Sequence, residues 1–278
     1  MKKLGTLALT VAVAGAVALP ALAAEEAPVL IAANGYATPI TLNEEKLDTA
    51  GIPAVEGQDL LPLRLVAEAD HGSAYWDQES NESWFKLGDG QITVKFADSS
   101  IWVGEEQVKT QAQVVDGVTY VPASVLELLE GVTVTTDAEA GITITTSNND
   151  PLVKAAYQVM DEAGMAYGMR ADEALLSETY KIPTDAFEQV IAFFPMITNP
   201  DTVIMGKLAE GADVEAVKTA VEAYRKQQED TFSWYLSQNL PKVQDARVVV
   251  EGDYFLFLIA ENADAGEAAF HAFVEAQA

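Results

Sequence analysis

The 278-residue chain contains no cysteine. No disulfide can staple it, and thiolate nucleophiles and thiol redox chemistry are excluded. Histidine is nearly as scarce, with His71 and His271 the two in the chain. Neither histidine sits in a cluster of convergent ligands: His71 has only Asp70 beside it, and His271 has Glu267 one helical turn earlier. No glycine-rich phosphate loop and no nucleophile elbow appears. Basic residues are also few, 16 against 43 acidic ones, for a formal net charge of -27. Such a field repels nucleic acid and anionic lipid, and keeps an exported protein soluble. No catalytic residue, cofactor or metal site is expected from these absences.

What is present begins with an export signal. Lys2 and Lys3 form a basic start, Leu4 to Leu19 is uncharged and apolar, and Pro20 breaks the run. Ala21 and Ala23 then fit the small-x-small pattern of signal peptidase, which places the cut after Ala23. The rival reading is an uncleaved anchor, because Leu4 to Ala24 is about long enough to span a bilayer. Pro20 and the alanine-rich end favour cleavage, with no membrane insertion afterwards. No cysteine follows the apolar run, which excludes a lipoprotein anchor. The expected location is secreted or extracellular, associated with the cell envelope.

Residues 29–146 carry strand signals. Ile92, Val94 and Phe96 alternate with polar residues, as do Ile142 and Ile144. Gly88-Asp89-Gly90, Gly104-Glu105-Glu106 and Asp116-Gly117 mark hairpin turns. The region echoes itself: LLPLRLVAEADHGSAYWDQESNESWFKL from Leu60 aligns with YVPASVLELLEGVTVTTDAEAGITIT from Tyr120. Pro62 matches Pro122, Asp77 matches Asp137, and Trp84 matches Ile144. Each copy reads as a strand ending at proline, a short apolar helix, then two strands joined by an acidic turn.

Residues 147–150 form a polar linker. Asp150-Pro151 reads as an N-cap followed by proline at the first helical position, which opens a second domain over 151–278. Its expected elements are helices over Leu152 to Ala163 and Asp172 to Tyr180, and strands over Ala186 to Ile197 and Thr202 to Leu208. A long helix from Asp213 to Leu236 follows, its apolar face Val214, Val217, Val221, Tyr224, Phe232 and Tyr235. A hairpin turning at Gly252-Asp253 joins two apolar runs expected to be buried central strands. A last helix spans Gly266 to Ala276. The fold class expected is α+β, in two domains, each an antiparallel sheet packed with helices.

The phrases LLPLRLVAEA, YWD and VTYVPASVLELL resemble the copper amine oxidase N-terminal-like domain over about Val29 to Thr146. The resemblance implies a twisted antiparallel sheet on a helix, an accessory domain without copper or oxidation. The oxidase catalytic domain needs three copper-binding histidines and a quinone-forming tyrosine, and no such domain follows here. DEALLSETYKI, FEQVIAFFPMI and VVVEGDYFLFLIAENAD resemble an uncharacterised domain of secreted proteins and lipoproteins from Gram-positive gut bacteria, over about Asp172 to Phe273. That resemblance implies no known activity.

Trp76, Trp84 and Trp102, three of the four tryptophans, are the candidate ligand or partner surface. Trp84 alternates with Phe85 and Leu87, and Trp102 with Ile101 and Val103, so an aliphatic core face turns both indoles outward. Outward tryptophans grip sugar rings or partners, and packing on helices is the bland alternative. Asp77, Glu79 and Glu82 crowd one turn, which is a solvated acidic loop or a weak calcium site. Phe193-Phe194-Pro195-Met196 ends an apolar strand, as core or as a partner groove. The reading is a non-enzymatic, envelope-associated binding or assembly protein, its partner a cell-wall polysaccharide or an envelope protein. The alternatives are a scaffold of a surface complex and, behind it, an unrecognised hydrolase.

Overall fold

The computed structural model describes residues 35–57, 59–165, 168–195 and 198–277. The expected signal peptide, with Ala21 and Ala23, lies outside the described residues. The chain divides into two compact units, the first ending at Asn148 and the second beginning at Asn149. Both are α+β, with antiparallel sheets packed with helices.

The first unit contains β1 (Ile40–Leu42), β2 (Glu45–Lys46), β3 (Leu60–Pro62), α1 (Leu63–Ala69), β4 (Ala74–Asp77), β5 (Glu82–Leu87), β6 (Gly90–Lys95), β7 (Ser100–Val103) and β8 (Glu106–Gln111). It continues with β9 (Gln113–Val115), β10 (Val118–Pro122), a 3-10 helix (Ala123–Leu128), β11 (Thr133–Asp137) and β12 (Gly141–Thr145). β4 to β8 form a five-stranded meander in sequence order. Its strands alternate: Phe85, Leu87, Ile92, Val94 and Ile101 are buried and share one core with Leu63, Val66 and Ala67 of α1. Each of the Val, Leu, Ile and Phe side chains contributes about 1.5–3 kcal/mol on burial. The hairpins turn where positive φ is tolerated, at Gly88, Gly104 and Asp116-Gly117.

The two sequence copies meet directly. β3 pairs antiparallel with β10, Leu61 opposite Val121, so the prolines close opposite ends of one short ladder. Both prolines sit at the N-cap, one residue before the helix, and the second copy's helix is 3-10 rather than α. Asp77 and Asp137 repeat one device. Asp77 accepts the Glu79 N–H at 3.0 Å, and Asp137 accepts the Glu139 and Ala140 N–H groups at 2.8 Å. One pairing departs from the expected antiparallel pattern: β1 runs parallel to β12, Ile40 opposite Ile142. Gly141 permits it, since its φ is +84° and a Cβ there would lie 2.2 Å from the Pro39 carbonyl oxygen.

Asp70 is the buried hub of this unit, 1% exposed. Its Oδ1 accepts from Asn43 Nδ2 at 2.8 Å and from the Thr146 hydroxyl at 2.6 Å. Its Oδ2 accepts the Gly88 N–H at 2.6 Å. Burial pushes the carboxyl above its ordinary range, and the three hydrogen bonds pull it back. An amide in its place turns an NH2 toward one of these donors. Asp70→Asn is therefore expected to lower unfolding free energy by about 1–3 kcal/mol, measured by urea denaturation. A neutral substitution would mean that the hub is dispensable.

The second unit contains α2 (Pro151–Glu162), β13 (Met169–Arg170), a single π-helical turn (Leu175–Thr179), β14 (Phe187–Phe194), β15 (Thr202–Leu208), α3 (Val214–Trp234), α4 (Leu240–Gln244), β16 (Arg247–Glu251), β17 (Tyr254–Ile259) and α5 (Ala263–Gln277). Asp150 caps α2, accepting the Leu152 N–H at 2.8 Å, with proline at the first position. The sheet order is β13-β14-β15-β17-β16. Val203, Met205, Leu256 and Leu258 share a core with α2 and α5. Ile204, Phe255 and Phe257 share another with Val217, Val221 and Tyr224 of α3. Helices on both faces explain why β15 and β17 read as unbroken apolar runs rather than alternating ones.

Four expectations need correction here. The helix expected over Asp172 to Tyr180 is reduced to the π-helical turn after a brief helical start. β14 stops at Phe194, and Met196 and Ile197 lie outside the described residues. Tyr235 does not join the apolar face of α3; it follows the helix in extended backbone and is 60% exposed. β16 is an edge strand, with Val248 and Val250 exposed, because a two-residue turn fixes adjacency to β17 but not which strand goes on to pair again.

A polar clasp fastens α5 to that edge strand. Arg247 of β16 reaches Asp264 at 2.7 Å and Glu267 at 3.1 Å on α5, and also Asp245 at 2.7 Å. His271 of α5 bonds Glu251 of β16 through Nδ1, with Glu267 3.6 Å from Nε2. The Glu251 bond raises the imidazole pKa above its ordinary 6.5. A raised histidine pKa stabilises the fold fully below the unfolded value and progressively less as pH rises through the folded value. Wild type is therefore expected to lose stability relative to His271→Ala as pH rises above the ordinary histidine value of about 6.5, in paired denaturation curves. Parallel pH profiles would refute the clasp.

Candidate functional site

The outer face of the β4–β8 sheet carries a row of aromatic side chains set by strand register. Tyr75 lies opposite Trp84, Trp84 opposite Thr93, and Thr93 opposite Trp102. Side chains directly opposite one another share a face, so Tyr75, Trp84 and Trp102 project together, away from Phe85 and Ile101. Tyr75 and Trp84 stack, ring centroids 5.3 Å apart and planes within 9°. Trp84 and Trp102 flank Thr93, which separates them by two strand spacings, about 10 Å. Tyr75 is 58% exposed, and the two tryptophans are half-buried.

Local bonds hold the far end of the row. Trp102 Nε1 donates to the buried Ser100 hydroxyl at 3.1 Å, which fixes the indole plane. Lys95 Nζ lies 4.7 Å from the Trp102 ring centroid and 3.3 Å from Glu82. The lysine thus sits between a π face and a carboxylate. The result is a rigid apolar platform edged by one cation and one anion. It offers stacking area and polar rims, and no pair of groups arranged for acid–base work.

Trp76 does not belong to this row. It pairs with Ser83, on the other face of the sheet, and lines a cleft of about 580 Å³. The three tryptophans therefore serve two surfaces. Tyr75 and Lys95 were not singled out by sequence reasoning. The register of the hairpin turning after Asp77 is the signal for Tyr75, since Asp77 opposite Glu82 places Tyr75 opposite Trp84. Trp234, the remaining tryptophan, ends α3 and is 92% exposed.

The acidic turn is committed to its own backbone. Asp77 bonds Glu79 N–H and the Ser80 hydroxyl, which lower its pKa, and Glu82 faces Lys95. Among the described residues no group of three or more His, Asp or Glu side chains is placed to hold a metal ion. His71 is exposed, in left-handed backbone after α1, and His271 belongs to the clasp in the second unit. Phe193 and Phe194 are both buried, one on each face of their sheet.

Both surfaces fall in one recognisable module. Residues 41–145 match the copper amine oxidase N-terminal domain. Of that family, this non-catalytic domain alone is found, and no catalytic domain accompanies it. Residues 162–260 match a domain of unknown function (DUF4358), a stretch that runs from the end of α2 to the end of β17. No curated protein and no solved structure matches the chain. Among the described residues no helix is long and apolar enough to cross a membrane. The stacked pair at the β4 end of the row is expected to show a coupling of about 0.5–1.5 kcal/mol in a Tyr75→Ala, Trp84→Ala double-mutant cycle followed by thermal unfolding. Additive losses would mean that the rings act separately.

Proposed function

We propose that this is a non-enzymatic binding protein of the envelope of a Gram-positive bacterium, exported by its N-terminal signal, whose first unit grips cell-wall polysaccharide. The observation that carries this reading is the row Tyr75, Trp84, Thr93, Trp102 across four neighbouring strands. Sugar rings present C–H faces that stack on indoles, and hydroxyls that pair with polar rims such as Lys95 and Glu82. The net charge of -27 selects uncharged glycan over anionic polymer. The accessory character of the matched oxidase domain supports binding without turnover.

Purified protein is expected to sediment with insoluble peptidoglycan stripped of anionic polymers. Trp84→Ala and Trp102→Ala should each weaken retention about tenfold, with unchanged circular dichroism. Equal retention of wild type and both variants would overturn the reading. A scaffold role is the second reading. It rests on edge strand β16, whose exposed Val248 and Val250 leave a free ladder for self-pairing. Concentration-dependent self-association by light scattering supports it, and a strict monomer excludes it.

A further inference from the structure

The cleft beside Trp76 lies on the sheet face opposite the aromatic row, within the first unit. At about 580 Å³ it falls within the range of ligand sites. Leu65, Phe85 and Phe96 form apolar wall, and Trp76 and Val114, each 51% exposed, stand at its mouth. Ser83 and Thr119 also line it, only 6% and 8% exposed. Neither hydroxyl has a hydrogen-bond partner among the described residues. Both oxygens remain accessible, so a ligand seated in the cleft can supply the hydrogen bonds that the protein does not.

The backbone identifies the ligand's chemistry. β4 is the edge of its sheet, and β9 is the edge of the three-stranded sheet β3-β10-β9. Lys86 N–H donates to the Ser73 carbonyl at 2.8 Å, which sets the phase of the β4–β5 ladder. Two residues on, Tyr75 again faces β5, so the N–H and C=O of Trp76 point outward to the free edge. The two-residue turn at Asp116-Gly117 likewise makes Val115 opposite Val118 a bonded pair and turns the Val114 backbone outward. Among the described residues neither Trp76 nor Val114 bonds anything outside its sheet. Two unpaired ladder edges at one apolar cleft match an extended polypeptide. Charge selects among polypeptides. Within the cleft Arg64 and Glu68 lie 3.9 Å apart and offset each other, so the selection comes from the chain's formal net charge of -27, which draws basic segments.

We propose that this cleft takes an extended, lysine- or arginine-bearing peptide segment of a partner protein, by strand addition to β4, with an apolar side chain buried beside Trp76. The site is separate from the glycan platform and uses none of its residues.

The test is isothermal titration of the intact protein with short capped peptides in which Val, Leu or Phe alternates with Lys. Parallel sets carry Glu in place of Lys, or N-methyl groups on alternate residues. The lysine set binds and the glutamate set does not, and N-methylation abolishes binding in one register but not in the other. Trp76→Ala weakens binding about tenfold, as loss of a central aromatic anchor does. Thr119→Val, which keeps shape and removes the hydroxyl, weakens it by a smaller factor with an unchanged unfolding midpoint. Trp84→Ala leaves peptide binding intact, and Trp76→Ala leaves peptidoglycan retention intact, so failure of either site is read independently. Failure of every alternating peptide to bind would overturn the proposal. Binding indifferent to N-methylation would overturn it too, marking the cleft as a pocket for a small apolar molecule.

Discussion

A carboxylate taken out of water costs several kcal/mol unless its lone pairs are filled. Asp70 meets that condition with donors from three separate places in the chain: Asn43 after β1, Gly88 in the β5–β6 turn and Thr146 after β12. Its own backbone carbonyl accepts Asn148 Nδ2 at 2.8 Å, and Asn43 Oδ1 accepts the Thr146 N–H at 2.9 Å. Gly88 ties Asp70 to the meander, and the bonds from Asn43, Thr146 and Asn148 to Asp70 fail if the small sheet around β1 and β12 shifts against it. The hub therefore sets the register between two sheets that share no ladder. The aromatic row and the cleft inherit that register, because β4, which bears Tyr75 and Trp76, follows α1 just after Asp70.

The second unit solves its packing differently. It buries both faces of a sheet, and its centre is aromatic. Phe194 stacks on Tyr180 at 3.7 Å, and Tyr224 meets both rings edge-on. The Tyr224 hydroxyl lies 3.0 Å from that of Thr202, which satisfies a phenol whose burial raises its pKa. Polar chemistry in this unit is spent on fastening, at the Arg247 and His271 clasp and at Lys242, which reaches Asp201 and Glu261 at 3.2 Å. The aromatic row and the cleft lie in the first unit, where one strand, β4, supplies a residue to each.

Much of this architecture was legible in the residues. Alternation marked β5, β6 and β12, paired turn residues marked the hairpins, and Asp150-Pro151 marked the start of α2. The outward direction of Trp84 and Trp102 followed from their aliphatic neighbours. The face of Trp76 was not legible, because its strand, AYWD, holds two adjacent aromatics and no aliphatic pattern to say which one faces the core. Tyr235 was misleading because helical period continues on paper past Trp234, whereas Leu236 adopts left-handed backbone and ends the helix. The π-helical turn at Leu175–Thr179 has no periodic signature of its own in so short a segment.

The sequence by itself determined the α+β class, most of the local elements and which side of their strands Trp84 and Trp102 occupy. Those properties depend on neighbours within a few residues, where side-chain period and turn chemistry act directly. Only the tertiary structure decided that Tyr75 completes the row, that Trp76 faces a cleft with Val114, that β16 is an edge and that β1 closes on β12 in parallel. Each of these depends on which strands pair across tens of residues. That choice is made by the summed burial of the whole core and by hubs such as Asp70, not by any local pattern.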